Sequence, residues 1–112
     1  MIPYGRHYVD EDDIRAVAEV MRGELLTQGP KAVEFERTIA AYVGARYAVS
    51  VANGTAALHL ACLVAGIGPG DTVLTSPKTF LASASCALYA AARPAYADID
   101  PDTLNFDRAA LD

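Results

Sequence analysis

Three residues that could do chemistry, Asn53, Gly54 and Thr55, stand between two apolar runs in the sequence VANGTAALHLA. The run before them is typical of a strand and the run after them of a helix, which places the three residues at a strand-to-helix junction. The first amides of a helix have no partner inside the helix, and the helix dipole favours an anion beside them. Gly54 has no side chain to block an approaching anion, and Thr55 adds a hydroxyl donor. This junction is therefore a candidate cradle for a phosphate group.

Three other interpretations apply to the same turn. Asn-Gly is a strong signal for a two-residue hairpin, but a hairpin needs a second strand, and the following AALHLACLVA has high helix propensity. The turn also matches the N-glycosylation acceptor pattern, which matters only in a secreted protein. The last alternative is an ordinary loop in which Asn53 caps the helix. Residue spacing alone leaves this loop and the phosphate cradle equally supported.

A second junction, TSPKTF at residues 75–80, repeats the order of strand, polar turn and helix. In a parallel sheet, ligands bind beyond the carboxyl ends of the strands, where we expect both junctions to lie. Phe80 could stack there on a flat ring, although a single phenylalanine is more often part of a core. The two junctions together favour a ligand site more than either does alone.

Helices and strands must position these junctions, and the sequence begins with two helices. Asp10, followed by an acidic turn, is typical of a helix start, and Pro30 and Gly44 suit the start and the end of a second helix. Further along, Asp107 has the features of a cap for another helix that stops after barely one turn. We therefore expect a truncated piece of a longer chain, with an N-terminal helical segment over residues 1–45.

The remaining residues, 46–112, predict the order β-α-β-α-β. Short apolar strands joined by helices indicate an α/β fold with a mainly parallel sheet and flanking helices. The strand-to-strand crossovers should be right-handed. The predicted strands cover residues 47–51, 72–75 and 94–97, and the predicted helices cover residues 56–64 and 80–92.

The composition argues against several classes of function. The chain has 112 residues, of which 53% are hydrophobic, and its net charge of −5 without basic clusters disfavours non-specific nucleic-acid binding. No apolar stretch approaches the roughly 18 residues of a membrane span, and the N-terminus lacks the apolar core of a signal peptide, so we expect a cytoplasmic protein. Cys62 and Cys86 lack metal-ligand spacing and are expected to be buried thiols rather than a disulfide or a nucleophile.

The succession of motifs resembles the DegT/DnrJ/EryC1/StrS family of sugar aminotransferases. The similar motifs are LLTQGP, NGTAALHLA and GIGPGDTVLTSPKTFLASASCALYAAARPAYADIDPDTLNFD, which cover the chain almost from end to end. The resemblance implies pyridoxal phosphate (PLP) as cofactor and the large domain of the aspartate aminotransferase fold (fold type I), incomplete in this chain. The segments IPYGR and LLTQGP are most similar to the branch that aminates C4 of UDP-4-keto-6-deoxy-N-acetylhexosamines on the path to pseudaminic acid, a component of cell-surface polysaccharides.

The resemblance also implies roles for individual positions. The hydroxyl and backbone of Thr55 and the amide of Ala56 are expected to hold the cofactor phosphate. Phe80 is expected to stack on the pyridine ring. The positions expected on the nucleotide-sugar side are Tyr4, Leu26, Thr27 and Gly54.

The resemblance places the reactive groups of the enzyme outside this chain. A PLP transaminase needs a Schiff-base lysine and a carboxylate against the pyridine nitrogen. In the family both follow residue 112, so no catalytic residue is expected here. Lys78 departs mildly from the family pattern beside the stacking position, and it is not assigned as that lysine. Asp98 and Asp100 match a turn that leaves the third strand, and we assign them a structural role.

The reaction that the resemblance implies for the whole protein is the transfer of an amino group, usually from glutamate, to the C4 ketone of a nucleotide sugar by a homodimer. Within the family, a sugar 3-aminotransferase or a PLP-dependent sugar dehydratase is the alternative. From another class, the alternative is a non-catalytic α/β module that binds a nucleotide or a partner through the Asn-Gly-Thr turn. Bound PLP in the full-length protein distinguishes an enzyme from such a module.

Overall fold

The structure, a computed structural model, describes residues 5–110 in two compact units whose boundary lies between Ser50 and Val51. No helix within the described range is long and apolar enough to cross a lipid bilayer. The N-terminal unit contains helices α1 (Glu11–Arg22) and α2 (Pro30–Val43), and the C-terminal unit contains, in chain order, α3 (Gly54–Val64), β1 (Thr72–Thr75), α4 (Ala82–Tyr89), β2 (Arg93–Tyr96) and a 3-10 turn (Arg108–Ala110).

Local caps set the ends of both N-terminal helices, as the sequence predicts. The Asp10 carboxylate accepts hydrogen bonds from the amides of Asp12 and Asp13 at 3.0 and 3.1 Å. The Asp13 carboxylate in turn accepts the amide of Asp10 at 3.1 Å, so the start of α1 is a capping box that satisfies amides left free by the helix. Pro30 lies in the first turn of α2, and Gly44 ends that helix in the left-handed conformation, with φ of 70°.

The predicted first strand, residues 47–51, is not a strand in this structure. Among the residues described, it pairs with no other strand, and the amide and hydroxyl of Ser50 instead both donate to Glu36 Oε1 at 2.8 Å. The hydrogen bond from the Ser50 amide, and then the one from the Ser50 hydroxyl, lower the pKa of the Glu36 carboxyl. The prediction fails because a strand needs an adjacent strand to supply hydrogen-bond partners.

The C-terminal unit is built on two parallel strands. In the β1–β2 pair, Val73 lies opposite Pro94 and Leu74 lies opposite Ala95. Helix α4 connects the strands and packs against both, and α3 packs against α4. Parallel strands need such a crossover because they run in the same direction. The prediction of an α/β fold with parallel pairing is confirmed by this β1-α4-β2 arrangement.

The boundaries of several elements differ from the predicted ones. Strand β1 covers the predicted residues, whereas β2 begins and ends one residue earlier. Helix α3 begins at Gly54 rather than near residue 56, so the Asn-Gly-Thr turn is itself the start of the helix. Helix α4 is shorter than predicted at both ends, beginning at Ala82 and ending at Tyr89. Ala91 follows with φ of 57°, a left-handed conformation that stops a helix.

Small side chains form the core of the C-terminal unit. Cys62 on α3 packs in one buried cluster with Cys86 and Ala90, and Cys86 Sγ donates to the Ser83 carbonyl at 3.3 Å. Both cysteines are free and buried, as predicted. Burial, and then the hydrogen bond with Cys86, raise the pKa of the Cys62 thiol. A buried thiol that stays protonated serves packing rather than nucleophilic chemistry.

Aspartates organise the turn that follows β2. The Asp100 carboxylate accepts the amides of Asp102 and Thr103 at 2.9 and 2.8 Å. The bonds from Thr103 and then Asp102 lower the pKa of the Asp100 carboxyl. Asp107 accepts the Ala109 amide at 2.9 Å, so it does cap the segment after it, although that segment is a short 3-10 turn. These bonds agree with the structural role assigned to Asp100.

We expect the variant Asp100→Asn to lose part of the pH dependence of folding stability. Because hydrogen bonds depress the pKa of Asp100 in the folded state, its ionised form stabilises the fold. That contribution is complete above the unfolded pKa of about 4 and is lost as the pH falls through the lower folded pKa. Urea unfolding of wild type and variant between neutral and strongly acidic pH should show a difference in unfolding free energy that shrinks below about pH 4.

The matched control for this experiment is Asp102→Asn, which changes an exposed aspartate in the same turn. Within the described part of the chain, the Asp102 side chain accepts no hydrogen bond, whereas its backbone amide, which donates to Asp100, is unchanged by the substitution. The control should follow the wild-type pH profile. A wild-type profile for Asp100→Asn as well would contradict the assigned role of Asp100.

Candidate functional site

The Asn-Gly-Thr turn forms the N-terminus of α3. Asn53 is the N-cap residue, and its Oδ1 accepts the amide of Ala56 at 2.9 Å while its carbonyl accepts the amide of Ala57 at 3.2 Å. Among the described residues, the amides of Gly54 and Thr55 have no acceptor. The first amides of a helix are directed out of its N-terminus. Two backbone donors and the Thr55 hydroxyl are therefore available at this end of α3.

The space around Gly54 is open. A Cβ placed on Gly54 would meet no atom within 4 Å, and Gly54 is exposed whereas Thr55 is half-buried. Together with the positive end of the helix dipole, these donors suit an anion of the size of a phosphate. The Ala56 amide can join these donors only if its hydrogen bond to Asn53 Oδ1 breaks. The two interpretations left open by the sequence, a capping loop and an anion cradle, are thus compatible.

The second junction follows the carboxyl end of β1 and is held by hydroxyl groups. The amide of Lys78 donates to Ser76 Oγ at 3.0 Å, and the hydroxyls of Thr79 and Ser83 lie 2.9 Å apart. Phe80 is 77% exposed, so it is not a core residue of this unit. An exposed aromatic ring beside an ordered polar turn is available to stack on a flat ligand.

Leu26 and Thr27, two of the residues expected on the nucleotide-sugar side, belong to the N-terminal unit. Leu26 lines a cavity of about 430 Å³ formed by the end of α1, the start of α2 and the loop between them. Thr27 follows it and is exposed. Lys31, at the start of α2, is exposed, and its Nζ lies 2.9 Å from Glu34 Oε2. Tyr4 lies outside the described residues.

The fold and the two junctions define a class of protein, a parallel α/β protein whose helix N-terminus offers free amides to an anion. A family model then identifies the class more closely. The model of the DegT/DnrJ/EryC1/StrS aminotransferase family matches residues 7–112. The chain belongs to this family.

Individual relatives agree with this assignment. The chain is 44% identical over 111 residues to the spore coat polysaccharide biosynthesis protein SpsC of Bacillus subtilis, a match that covers 99% of this chain and 28% of that protein. It is 41% identical over 111 residues to the UDP-4-amino-4-deoxy-L-arabinose–oxoglutarate aminotransferase of Shewanella sediminis, covering 99% of this chain and 29% of that enzyme.

A solved structure gives the same fold. It comes from Streptococcus pneumoniae and is described as a sugar aminotransferase in its PLP form. The match has a TM-score of 0.92 at 34% identity and covers 98% of this chain and 28% of that one. The predicted fold, the N-terminal part of a PLP-dependent transferase, is confirmed. The chain spans between a quarter and a third of the length of these relatives.

Proposed function

We propose that the full-length protein containing this chain transfers an amino group from glutamate to C4 of a UDP-4-keto-6-deoxy-N-acetylhexosamine, with PLP as cofactor. The observation that carries the proposal is the α3 N-terminus, where a chain of this family offers the Thr55 hydroxyl and the amides of Gly54 and Thr55, which have no acceptor among the described residues. The name of the Shewanella relative supports it, because that enzyme is named for a 4-amino nucleotide sugar and for oxoglutarate. Oxoglutarate is the keto acid that glutamate becomes when it gives up its amino group.

In this proposal, the residues of the chain bind and orient the cofactor. The amides of Gly54 and Thr55 and the Thr55 hydroxyl bind its phosphate, and the Ala56 amide joins them when Asn53 releases its cap. Phe80 stacks on the pyridine ring. When bound, PLP supplies an electron sink that stabilises the charge left on a carbon that loses a proton. The residues that contact the nucleotide sugar are Tyr4, Leu26, Thr27 and Gly54.

The proposal also covers the setting of the reaction. The lysine that carries PLP and the carboxylate that faces the pyridine nitrogen follow residue 112, and the enzyme is a cytoplasmic homodimer. The product serves cell-surface polysaccharide synthesis by way of pseudaminic acid. The name of the Bacillus relative, which refers to spore coat polysaccharide synthesis, supports a role in polysaccharide synthesis.

The test uses the full-length protein. We expect the purified protein to carry PLP, visible as absorbance near the edge of the visible range, and we expect borohydride to fix the cofactor to the protein. Glutamate should abolish this absorbance, and UDP-4-keto-6-deoxy-N-acetylglucosamine should restore it and yield a 4-amino sugar that NMR identifies. Amination of a UDP-3-keto sugar, but not of this 4-keto probe, would move the reaction to C3, and a protein without PLP would overturn the proposal.

A further inference from the structure

The loop that joins α1 to α2 has an unusual backbone. Gln28 has φ of 54°, in the left-handed region that a residue with a side chain rarely adopts. The other residues of this kind in the described chain, Ala91 and Leu104, lie at a helix end and in the turn after β2. Gln28 instead directly follows Leu26 and Thr27, two of the residues expected to contact the nucleotide sugar. A strained backbone that persists beside expected ligand residues points to a functional constraint on the loop.

Gly29 is the residue that closes this loop. A Cβ on Gly29 would lie 2.7 Å from the carbonyl oxygen of Leu25, closer than a real Cβ approaches a backbone atom. Its φ of −78° is accessible to any residue, so this contact alone, and not the backbone conformation, excludes a side chain. The chain therefore folds back on itself between Leu25 and Gly29, with Leu26 and Thr27 at the bend.

Leu25 and Gly29 also line the cavity beside the loop. Val20 from α1, Leu25 and Leu26 from the loop, and Pro30 from α2 supply apolar side chains around a volume of about 430 Å³. Gly29 belongs to the same wall. A cavity of a few hundred cubic ångströms with an apolar lining is typical of a small-molecule site. Any shift of Gly29 away from Leu25 moves the bend that carries Leu26.

We propose that Gly29 is a positioning residue for the acceptor substrate. Its contact with the Leu25 carbonyl holds Leu26 and Thr27 in the conformation that receives the nucleotide sugar, and it has no role toward the amino donor. The inference rests on the proposed function, because it assigns the loop to one of the two substrates of that reaction. It adds a residue that touches no ligand and acts through the backbone.

The experiment compares the two halves of the reaction in the full-length protein. The variant Gly29→Ala must open the contact with Leu25, since one carbon atom cannot remain 2.7 Å from a carbonyl oxygen. We expect the rate at which glutamate abolishes the PLP absorbance to stay within about twofold of wild type, whereas the KM for UDP-4-keto-6-deoxy-N-acetylglucosamine rises by about tenfold or more, as misplaced positioning groups do.

Gly68→Ala is the matched control. Gly68 lies in a loop of the C-terminal unit, has no left-handed backbone, and would meet no atom within 4 Å with a Cβ. The control should match wild type in both half-reactions. If Gly29 had a purely structural role, Gly29→Ala would slow both half-reactions together. That result would overturn the inference, and so would a KM for the sugar equal to that of wild type.

The remaining outcomes concern the proposed function. A wild-type protein whose absorbance does not respond to glutamate would overturn the transaminase assignment itself. A wild-type protein that responds to glutamate but not to the sugar probe would overturn the acceptor class and the inference with it. If the inference alone fails, wild type still completes both half-reactions, but Gly29→Ala affects both of them or neither. This pattern distinguishes that failure from a failure of the proposed function.

Discussion

Replacing Thr55 by valine should weaken the binding of PLP to the full-length protein by about tenfold or more. Valine keeps the shape of threonine but removes the hydroxyl donor, and a hydrogen bond to a charged group contributes about 1.5–3 kcal/mol, or about ten- to a hundredfold in affinity. Thr55 is the second residue of α3, and threonine and valine have similar helix propensities, so the helix should persist. Absorbance titration of the cofactor-free protein with PLP measures the dissociation constant.

The matched control changes the same residue type elsewhere in the C-terminal unit. Thr72 is exposed at the start of β1, where valine is at least as favourable as threonine. Thr72→Val should therefore bind PLP as wild type does. Wild-type affinity in Thr55→Val would mean that backbone amides alone hold the phosphate, and it would contradict the role proposed for the hydroxyl.

The structure ranks the donors at this helix end differently from the sequence. The family resemblance implies that the Ala56 amide holds the phosphate, yet this amide already donates to Asn53 Oδ1 at 2.9 Å. A phosphate must displace the Asn53 side chain to use it, whereas the amides of Gly54 and Thr55 are free within the described residues. Residue types cannot show this difference, because asparagine has the same sequence signature whether or not its side chain folds back onto the helix.

Helix ends were predictable from sequence because their causes are local. Asp10, Pro30 and Gly44 each act on the residues next to them, and each is found where the sequence predicts. The parallel β1–β2 pair was also predictable, since both strands and the helix between them lie in one continuous segment. The strand predicted over residues 47–51 was wrong because no strand within the described residues pairs with this segment, and a strand needs a partner to supply its hydrogen bonds.

The α1–α2 loop shows a second limit of sequence analysis. Gln-Gly-Pro predicts a turn, and a turn is present, but nothing in the sequence indicates that Gly29 lies against the Leu25 carbonyl. That contact depends on the path of the backbone from Leu25 to Gly29. The left-handed conformation of Gln28 determines this path. The signal that could have identified it is the glycine itself, directly before the Pro30 that starts α2.

Replacing Phe80 by alanine should weaken PLP binding without weakening the fold. The ring is 77% exposed, so its loss removes little packing from the C-terminal unit. Stacking of a flat heterocycle on an aromatic side chain contributes about 1–3 kcal/mol, which corresponds to about five- to a hundredfold in affinity. Thermal unfolding of the cofactor-free protein should be nearly unchanged, while titration with PLP should show the weaker binding.

Leu81→Ala separates stacking from the general loss of apolar surface at this junction. Leu81 is the next residue and is 74% exposed, so this control removes a similar apolar side chain beside the same turn. It should bind PLP as wild type does, and Phe80→Leu, which keeps apolar area but lacks a flat ring, should bind it less tightly than wild type. Wild-type affinity in both Phe80 variants would exclude ring stacking. Equal weakening in Phe80→Ala and Leu81→Ala would instead mean that the junction binds PLP through its apolar surface rather than through the aromatic ring.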